Sequence, residues 1–249
     1  MRFQVLWVQF LCMQVIVLYM EPRIRFQPQL VRGPFLWSHL LLRCDMYLQK
    51  IYNSIYRVYF DNHADLAMCF LRFQEHYESP YFRGRFFSLN EYKIWYSQTY
   101  GSFSYVDDWS GFNVPSYIFE PFKSGKFGDL SDLEEKIIAS FAQVRDPYYV
   151  IGTNDNDATL DHEICHALFY VDDLYRESVT STIETHKAAL SPLFNKILSL
   201  GYHEAVLIDE ANAYLCANPD WIEEQDLTVD YNLVEQLQRL RDEALHRRS

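Results

Sequence analysis

The C-terminal part of the chain has the apolar periodicity of a series of helices. From residue 158 onward, apolar residues recur every three or four positions, which places them on one face of an α helix. Turn-forming residues break this pattern at Ser191-Pro192, Gly201 and Asn218-Pro219. The last helix is predicted from Leu233 to His246, and the basic residues at its end suit a helix C-terminus.

The first 157 residues combine helix starts with strand-like runs. Helices are predicted from His63 to Glu78, from the capping box Ser88-Leu89-Asn90-Glu91 toward Ser97, and from the capping box Ser131-Asp132-Leu133-Glu134 to about Gln143. Strands are predicted at Phe103–Val106, Ser116–Phe119 and Tyr148–Thr153, with residues 107–111 as the loop between the first two. Together these elements predict an α+β fold, in which a small, aromatic-rich mixed sheet and helices precede a helical C-terminal half.

One predicted helix contains an HExxH motif, His162-Glu163-Ile164-Cys165-His166. Because His162 and His166 are four residues apart, both imidazoles project from one helix face and can bind a single Zn²⁺. Glu163 lies one position further round the helix, where it can accept a proton from a metal-bound water without being a ligand. A solvated surface helix is the alternative, but the apolar flank that starts at Leu160 favours a helix with one buried side and a ligand face in a cleft.

Two histidines leave zinc one protein ligand short, because catalytic zinc usually takes three protein ligands and a water. Three residues downstream are open for this position, Asp172, His203 and Glu210. Asp172 has the spacing of the HExxHxxGxxH/D motif, but Phe169 stands where that motif has the glycine that turns the chain back. His203 has no spacing to a partner. Glu210 lies in a predicted helix with an apolar side, and we expect it to be the third ligand.

An HExxH helix followed by a glutamate on a second helix resembles the gluzincin metallopeptidases, the group that includes thermolysin. The segment Asp209-Glu210-Ala211-Asn212-Ala213-Tyr214 is also similar to third-ligand helices of several small zincin families. The resemblance covers residues 147–216 and implies a zincin-like fold. It implies His162 and His166 as zinc ligands, with Glu210 as the third.

The chain departs from the thermolysin-like pattern in two ways. The gap between His166 and Glu210 is long, and Tyr214 stands where that pattern has an aspartate that orients a ligand. We therefore expect another acceptor, such as Asp209 or a backbone carbonyl, to orient the histidines.

The residues and the resemblance together predict a zinc-dependent hydrolase, with peptides or proteins as the substrate that the resemblance implies. Glu163 is the expected general base. The oxyanion of the tetrahedral intermediate needs a further hydrogen-bond donor. The candidates are Tyr214, Tyr170, Tyr175 and His203, and Tyr214 is our working assignment. In zincins an edge strand commonly pairs with extended substrate, and Tyr148–Thr153 is the strand we expect in this role.

Two other functions stay open beside the peptidase. One is a zincin-like binding protein with a structural or non-catalytic metal, although such a site has no use for the carboxylate of Glu163. The other is a metal-dependent amidase that acts on a non-peptide substrate.

Charge and composition limit the partners. The formal net charge is −12 and no basic stripe exists, which excludes nucleic acid as an expected partner. A hydrophobic content of 49% over 249 residues is sufficient for a substantial core. The cysteines are irregularly spaced without a CxxC, which indicates reducing, cytoplasmic conditions. They are Cys12, Cys44, Cys69, Cys165 and Cys216. The oligomeric state is left open.

Residues 1–45 form an apolar and then arginine-containing lead, and residues 46–249 are expected to form a single catalytic domain. The stretch 3–20 carries no charge and has the length of a membrane span, but three glutamines interrupt it. Membrane anchor, packed element and extension outside the fold are all compatible with this stretch. In an anchored form, the arginines that follow would keep the catalytic domain on the cytoplasmic side.

Overall fold

The computed structural model describes residues 46–109, 111–145, 147–154, 159–200, 202 and 204–249. Within these ranges the strands are β1 (Met46–Tyr52), β2 (Ile55–Phe60), β3 (Gly111–Pro115) and β4 (Tyr149–Thr153). The helices of the first half are α1 (His63–Glu78), α2 (Leu89–Tyr100), α3 (Glu120–Lys123) and α4 (Asp132–Ser140). Those of the second half are α5 (Leu160–Val171), α6 (Asp173–Thr185), α7 (Ser191–Ser199), α8 (Leu207–Ala217), α9 (Pro219–Glu224) and α10 (Tyr231–Arg248). The fold is therefore mixed α+β, as the sequence predicts.

The four strands form one mixed sheet in the order β1-β2-β4-β3. β1 and β2 are an antiparallel hairpin, β2 pairs with β4 in parallel, and β3 pairs with β4 antiparallel. The prediction that Tyr148–Thr153 is an edge strand is wrong, because β4 has a partner on each side. Among the described strands, the edge beside β4 is β3 instead.

Helices cover both faces of the sheet. Successive side chains of a strand point to opposite faces, so Tyr149 and Ile151 belong to the core formed with the helices of the second half, whereas Val150 belongs to the aromatic core around α1. A Cβ atom at Gly152 would lie 2.6 Å from Cε2 of Phe70. The glycine therefore allows α1 to pack closely against β4.

Several helix predictions are confirmed, because their determinants are local. α1 has the predicted bounds, and the Asn62 side chain accepts from the amides of Ala64 and Asp65 at its start. Both capping boxes are present at the starts of α2 and α4. α10 extends the predicted helix by two residues at each end, from Tyr231 to Arg248.

The strand predictions before residue 120 are wrong. Phe103–Val106 and Ser116–Phe119 were expected as strands, but the structure has 3₁₀ helices at Tyr105–Asp107 and Ser116–Phe119. The strand between them, β3, begins at Gly111, the last residue of the predicted loop, and continues to Pro115, where no strand was predicted. Aromatic residues raise strand propensity because they pack well on a half-buried surface, and here Tyr105 and Phe119 are buried in the aromatic core without strand pairing.

A buried ion pair joins α1 to α4. The guanidinium of Arg72 donates from Nε to Oε1 of Glu134 at 2.7 Å and from Nη2 to Oε2 at 2.6 Å. The remaining donors reach the backbone carbonyls of Phe127 and Asp129. Both charges are thus compensated inside the protein, as burial requires.

No helix of the described ranges combines the length and apolar character needed to cross a membrane. The membrane contact expected through residues 3–20 lies outside those ranges, as does the rest of the lead up to residue 45. From Met46 onward the described residues belong to one compact unit.

Candidate metal centre

The metal motif lies on α5, which packs between the sheet and α8. Ala167 and Leu168 are fully buried in the core shared with β4. Ala211 of α8 is buried in the same core, and α8 is packed closely against α5. The apolar sides of both helices therefore set their spacing, and their polar side chains contact one another along the interface, His166 with the start of α8 and His162 with its end.

The structure brings together the three predicted ligands, and the atoms offered by His162, His166 and Glu210 all lie within 4.8 Å of one another. The Nε2 atoms of the two histidines are 3.1 Å apart, and Oε1 of Glu210 is 3.8 Å from Nε2 of His166. If a zinc ion lay ~2.0–2.1 Å from both nitrogens, the N–Zn–N angle would be about 100°, close to the tetrahedral value. The three groups offer the donor types that zinc takes and are close enough to share one cation.

Two side chains hold the far nitrogens of the histidine rings. Oδ1 of Asp209 lies 3.0 Å from Nδ1 of His166, and Oδ1 of Asn218 lies 2.8 Å from Nδ1 of His162. An acceptor on Nδ1 fixes the ring orientation and leaves Nε2 to face the ligand position. Asp209 is the acceptor that the sequence suggested. Asn218 was missed, because Asn218-Pro219 was interpreted only as a helix break.

The electrostatics of the cluster also fit a cation. Burial lowers the pKa of His162 to about 3, so its ring is neutral, as a metal ligand must be. Burial would also lower the pKa of His166, but the carboxylates of Asp209 and Glu210 outweigh it and raise that pKa.

Glu210 is a buried carboxylate with an oxygen that no neighbour in the described part of the chain compensates. Only 7% of the residue is exposed, burial raises its pKa to about 8, and its Oε2 has no hydrogen-bond partner among the described residues. A buried carboxylate without a partner is costly. A divalent cation between the three side chains would offset that cost.

Glu163 lies beside the ligands without joining them. Nδ2 of Asn113, on strand β3, donates to Oε2 of Glu163 at 2.5 Å. Burial raises the pKa of Glu163, and His166 and the bond from Asn113 act in the opposite direction. Glu163 therefore combines a raised pKa with a position beside the cluster of His162, His166 and Glu210. Asn113 was not found from the sequence, because nothing local links β3 to α5.

The four residues considered as oxyanion donors differ in position. The ring of Tyr214 lies 5.0 Å from that of His162 and stacks on Trp221. Tyr175 donates to Oδ1 of Asn212 within the core, so its hydroxyl does not face the cluster. Tyr170 contacts the rings of Tyr117 and Tyr149. His203 lies outside the described residues.

A further carboxylate, Glu78 at the end of α1, was also missed by the sequence analysis. Its side chain is accessible to solvent, yet the surrounding protein raises its pKa to about 7, against the opposing effect of His166. The neighbouring Gln74 amide donates to its Oε1.

Asp172, the alternative ligand with the spacing of the HExxHxxGxxH/D motif, has a structural role. Its Oδ1 caps α6 by accepting from the amide of Tyr175 at 2.9 Å. Arg247 and Arg248 of α10 reach its two oxygens at 3.2 and 3.3 Å. Its carboxylate is therefore already used to join α6 to the C-terminal helix.

Asp172→Ala is expected to lower the free energy of unfolding by about 1–2 kcal/mol, the cost of a lost cap and its ion pairs, with unchanged metal content. Burial raises the pKa of Asp172, but the bonds from Tyr175 and Arg247 outweigh it and lower that pKa below its unfolded value. The stabilisation is thus complete at pH 7 and is lost as the pH falls below about 4. Urea unfolding at pH 7 and at a pH below about 4 should show that the difference in free energy of unfolding between Asp172→Ala and the unaltered protein becomes smaller in acid. Loss of bound metal in this variant would contradict the structural role.

Comparisons with known proteins assign no family to the chain. It matches no protein-family model, no curated protein and no solved structure. The gluzincin resemblance therefore depends on the residues of the site alone.

Proposed function

We propose that this protein is a zinc-dependent hydrolase of zincin type that cleaves peptide bonds. The observation that carries the proposal is the convergence of His162, His166 and Glu210 on one point, with Glu163 beside that point and outside the ligand set. A purely structural zinc site has no need of such a carboxylate.

Zinc at this position would act as a Lewis acid and lower the pKa of a coordinated water toward ~7. Glu163 accepts the proton of the attacking water and transfers it to the leaving amine. Tyr214, whose ring lies against His162, is the side chain we assign as donor to the oxyanion. Asp209 and Asn218 keep both imidazoles in the orientation that binds metal.

The edge of the sheet favours a second substrate class, compact non-peptide amides. The backbone N–H of Asn113, on edge strand β3, donates to Oε1 of Gln74 at 3.3 Å. An extended peptide that pairs with β3 would have to displace this side chain. A compact, non-peptide amide would not, so a metal-dependent amidase is the alternative activity.

The first test is metal content together with hydrolysis. We expect about one zinc per chain after purification without chelators, and loss of both zinc and hydrolysis in His162→Ala and His166→Ala. His186→Ala is the matched control, because that ring bonds to the Thr182 carbonyl on α6 and should leave zinc unchanged.

A mixed peptide library and a set of N-acyl amides, each assayed with and without chelator, separate the two activities. Protein that purifies without metal would contradict the zinc site. Zinc-loaded protein that cleaves neither substrate class would contradict the hydrolase.

A further inference from the structure

Asn113 lies between Glu163 and a buried tyrosine in a chain of hydrogen bonds. The hydroxyl of Tyr149 donates to Oδ1 of Asn113 at 2.5 Å, and Nδ2 of Asn113 donates to Oε2 of Glu163 at 2.5 Å. An ionised carboxylate only accepts, so the NH₂ end of Asn113 must face Glu163. Tyr149 then fixes the other end, and the carboxamide has one orientation.

The backbone around Asn113 is fixed as well. Asn113 pairs with Ile151 of β4, so its side chain points to the face of the sheet on which α5 packs. Its N–H donates to Gln74 of α1. The pairing of β3 with β4, the contact with Gln74 and the hydroxyl of Tyr149 together hold Nδ2 of Asn113 at one place beside the HExxH helix.

We propose that Asn113 is a positioning residue for the general base, and that Tyr149 acts through it. Asn113 engages Oε2 of Glu163 and so directs Oε1 toward the attacking water. The role depends on the proposed hydrolase function, since only proton transfer requires Glu163 to be held in this way. It assigns a mechanistic function to β3, on which no motif lies.

Asn113→Ala is expected to lower kcat about 10- to 100-fold, the usual effect of losing a residue that orients a site group. KM should stay within about twofold and zinc content should not change, because no substrate contact or ligand is removed. Tyr149→Phe should give a smaller fall in kcat, since the carboxamide remains but can rotate. Tyr148→Phe is the matched control, because its side chain packs on the opposite face of the sheet.

A double-mutant cycle separates positioning from general destabilisation. If Asn113 acts only through Glu163, Asn113→Ala should have no further effect on kcat in the Glu163→Gln background. Additive losses in the double variant would overturn the positioning role. If Asn113→Ala does not fold, the same cycle is measured with Tyr149→Phe.

A measurement without turnover tests the role even if hydrolysis fails. In cobalt-loaded protein, acetohydroxamate binds the metal as its anion and passes its proton to a neighbouring base, and cobalt absorption reports the binding. Asn113→Ala and Glu163→Gln should both weaken this affinity about 10-fold or more. Unchanged affinity in Asn113→Ala would disprove the positioning role. Absence of hydrolysis with normal hydroxamate binding would contradict only the hydrolase, and a protein that binds no metal would contradict both.

Discussion

Glu163→Gln should keep its fold and its zinc while hydrolysis falls about 10²- to 10⁴-fold, the contribution of a positioned general base. The amide has the shape of the carboxylate, and its carbonyl oxygen can still accept the bond from Asn113. It cannot take a proton from water, so only the chemical step is lost. Single-turnover rates and zinc content, measured on one preparation, check the prediction.

Asp161→Asn is the matched control for this experiment. It neutralises an exposed carboxylate on the same helix, one residue before His162, and should leave the rate nearly unchanged. Activity of Glu163→Gln within a few-fold of the unaltered protein would mean that another group is the base.

The parts of the site that could be predicted are those that a single helix determines. The distance between His162 and His166 follows from helix geometry once the segment is helical, and the structure has their Nε2 atoms 3.1 Å apart. Predicting the position of Glu210 required more information, since α8 has to pack against α5 with the correct rotation about its own axis. Its apolar flank, which includes Ala211, indicated that rotation, and the structure places Glu210 at the cluster.

The groups that complete the site could not be predicted in this way. Asn113 comes from a strand about fifty residues before Glu163, and the sequence gives no register between β3 and α5. Asn218 is the residue that ends α8, a position where asparagine has an ordinary capping explanation. Only tertiary packing distinguishes these roles from local ones.

The same difference between local and long-range determinants explains which parts of the fold could be predicted. The helix starts at Ser88 and Ser131 were predicted because a capping box is a local hydrogen-bond pattern that the sequence contains. The hairpin of β1 and β2 was missed, because Asn53-Ser54 lacks the glycine of the usual two-residue turn and Ser54 itself adopts the positive φ of 65°. The position of β4 in the middle of the sheet depends on long-range pairing, which the pattern of one strand does not contain.

Glu210→Ala is expected to weaken zinc affinity by more than about 100-fold, because it removes a ligand, whereas residues that only orient ligands contribute about 10- to 100-fold. Asp209→Ala should fall in that lower range, since Asp209 contacts Nδ1 of His166 and not the nitrogen that faces the ligands. Asp172→Ala and His203→Ala should bind zinc almost as the unaltered protein does. Competition with a chromophoric chelator at constant pH gives all four affinities.

The order of these affinities identifies the third ligand. A weaker effect in Glu210→Ala than in Asp209→Ala would mean that Asp209 binds the metal and that His166 uses its other nitrogen. A dominant effect of His203→Ala would replace the gluzincin arrangement with three histidines and leave Glu163 as the base. The predicted order, with Glu210 first and Asp209 second, follows from the contact of Glu210 with Nε2 of His166 and of Asp209 with Nδ1.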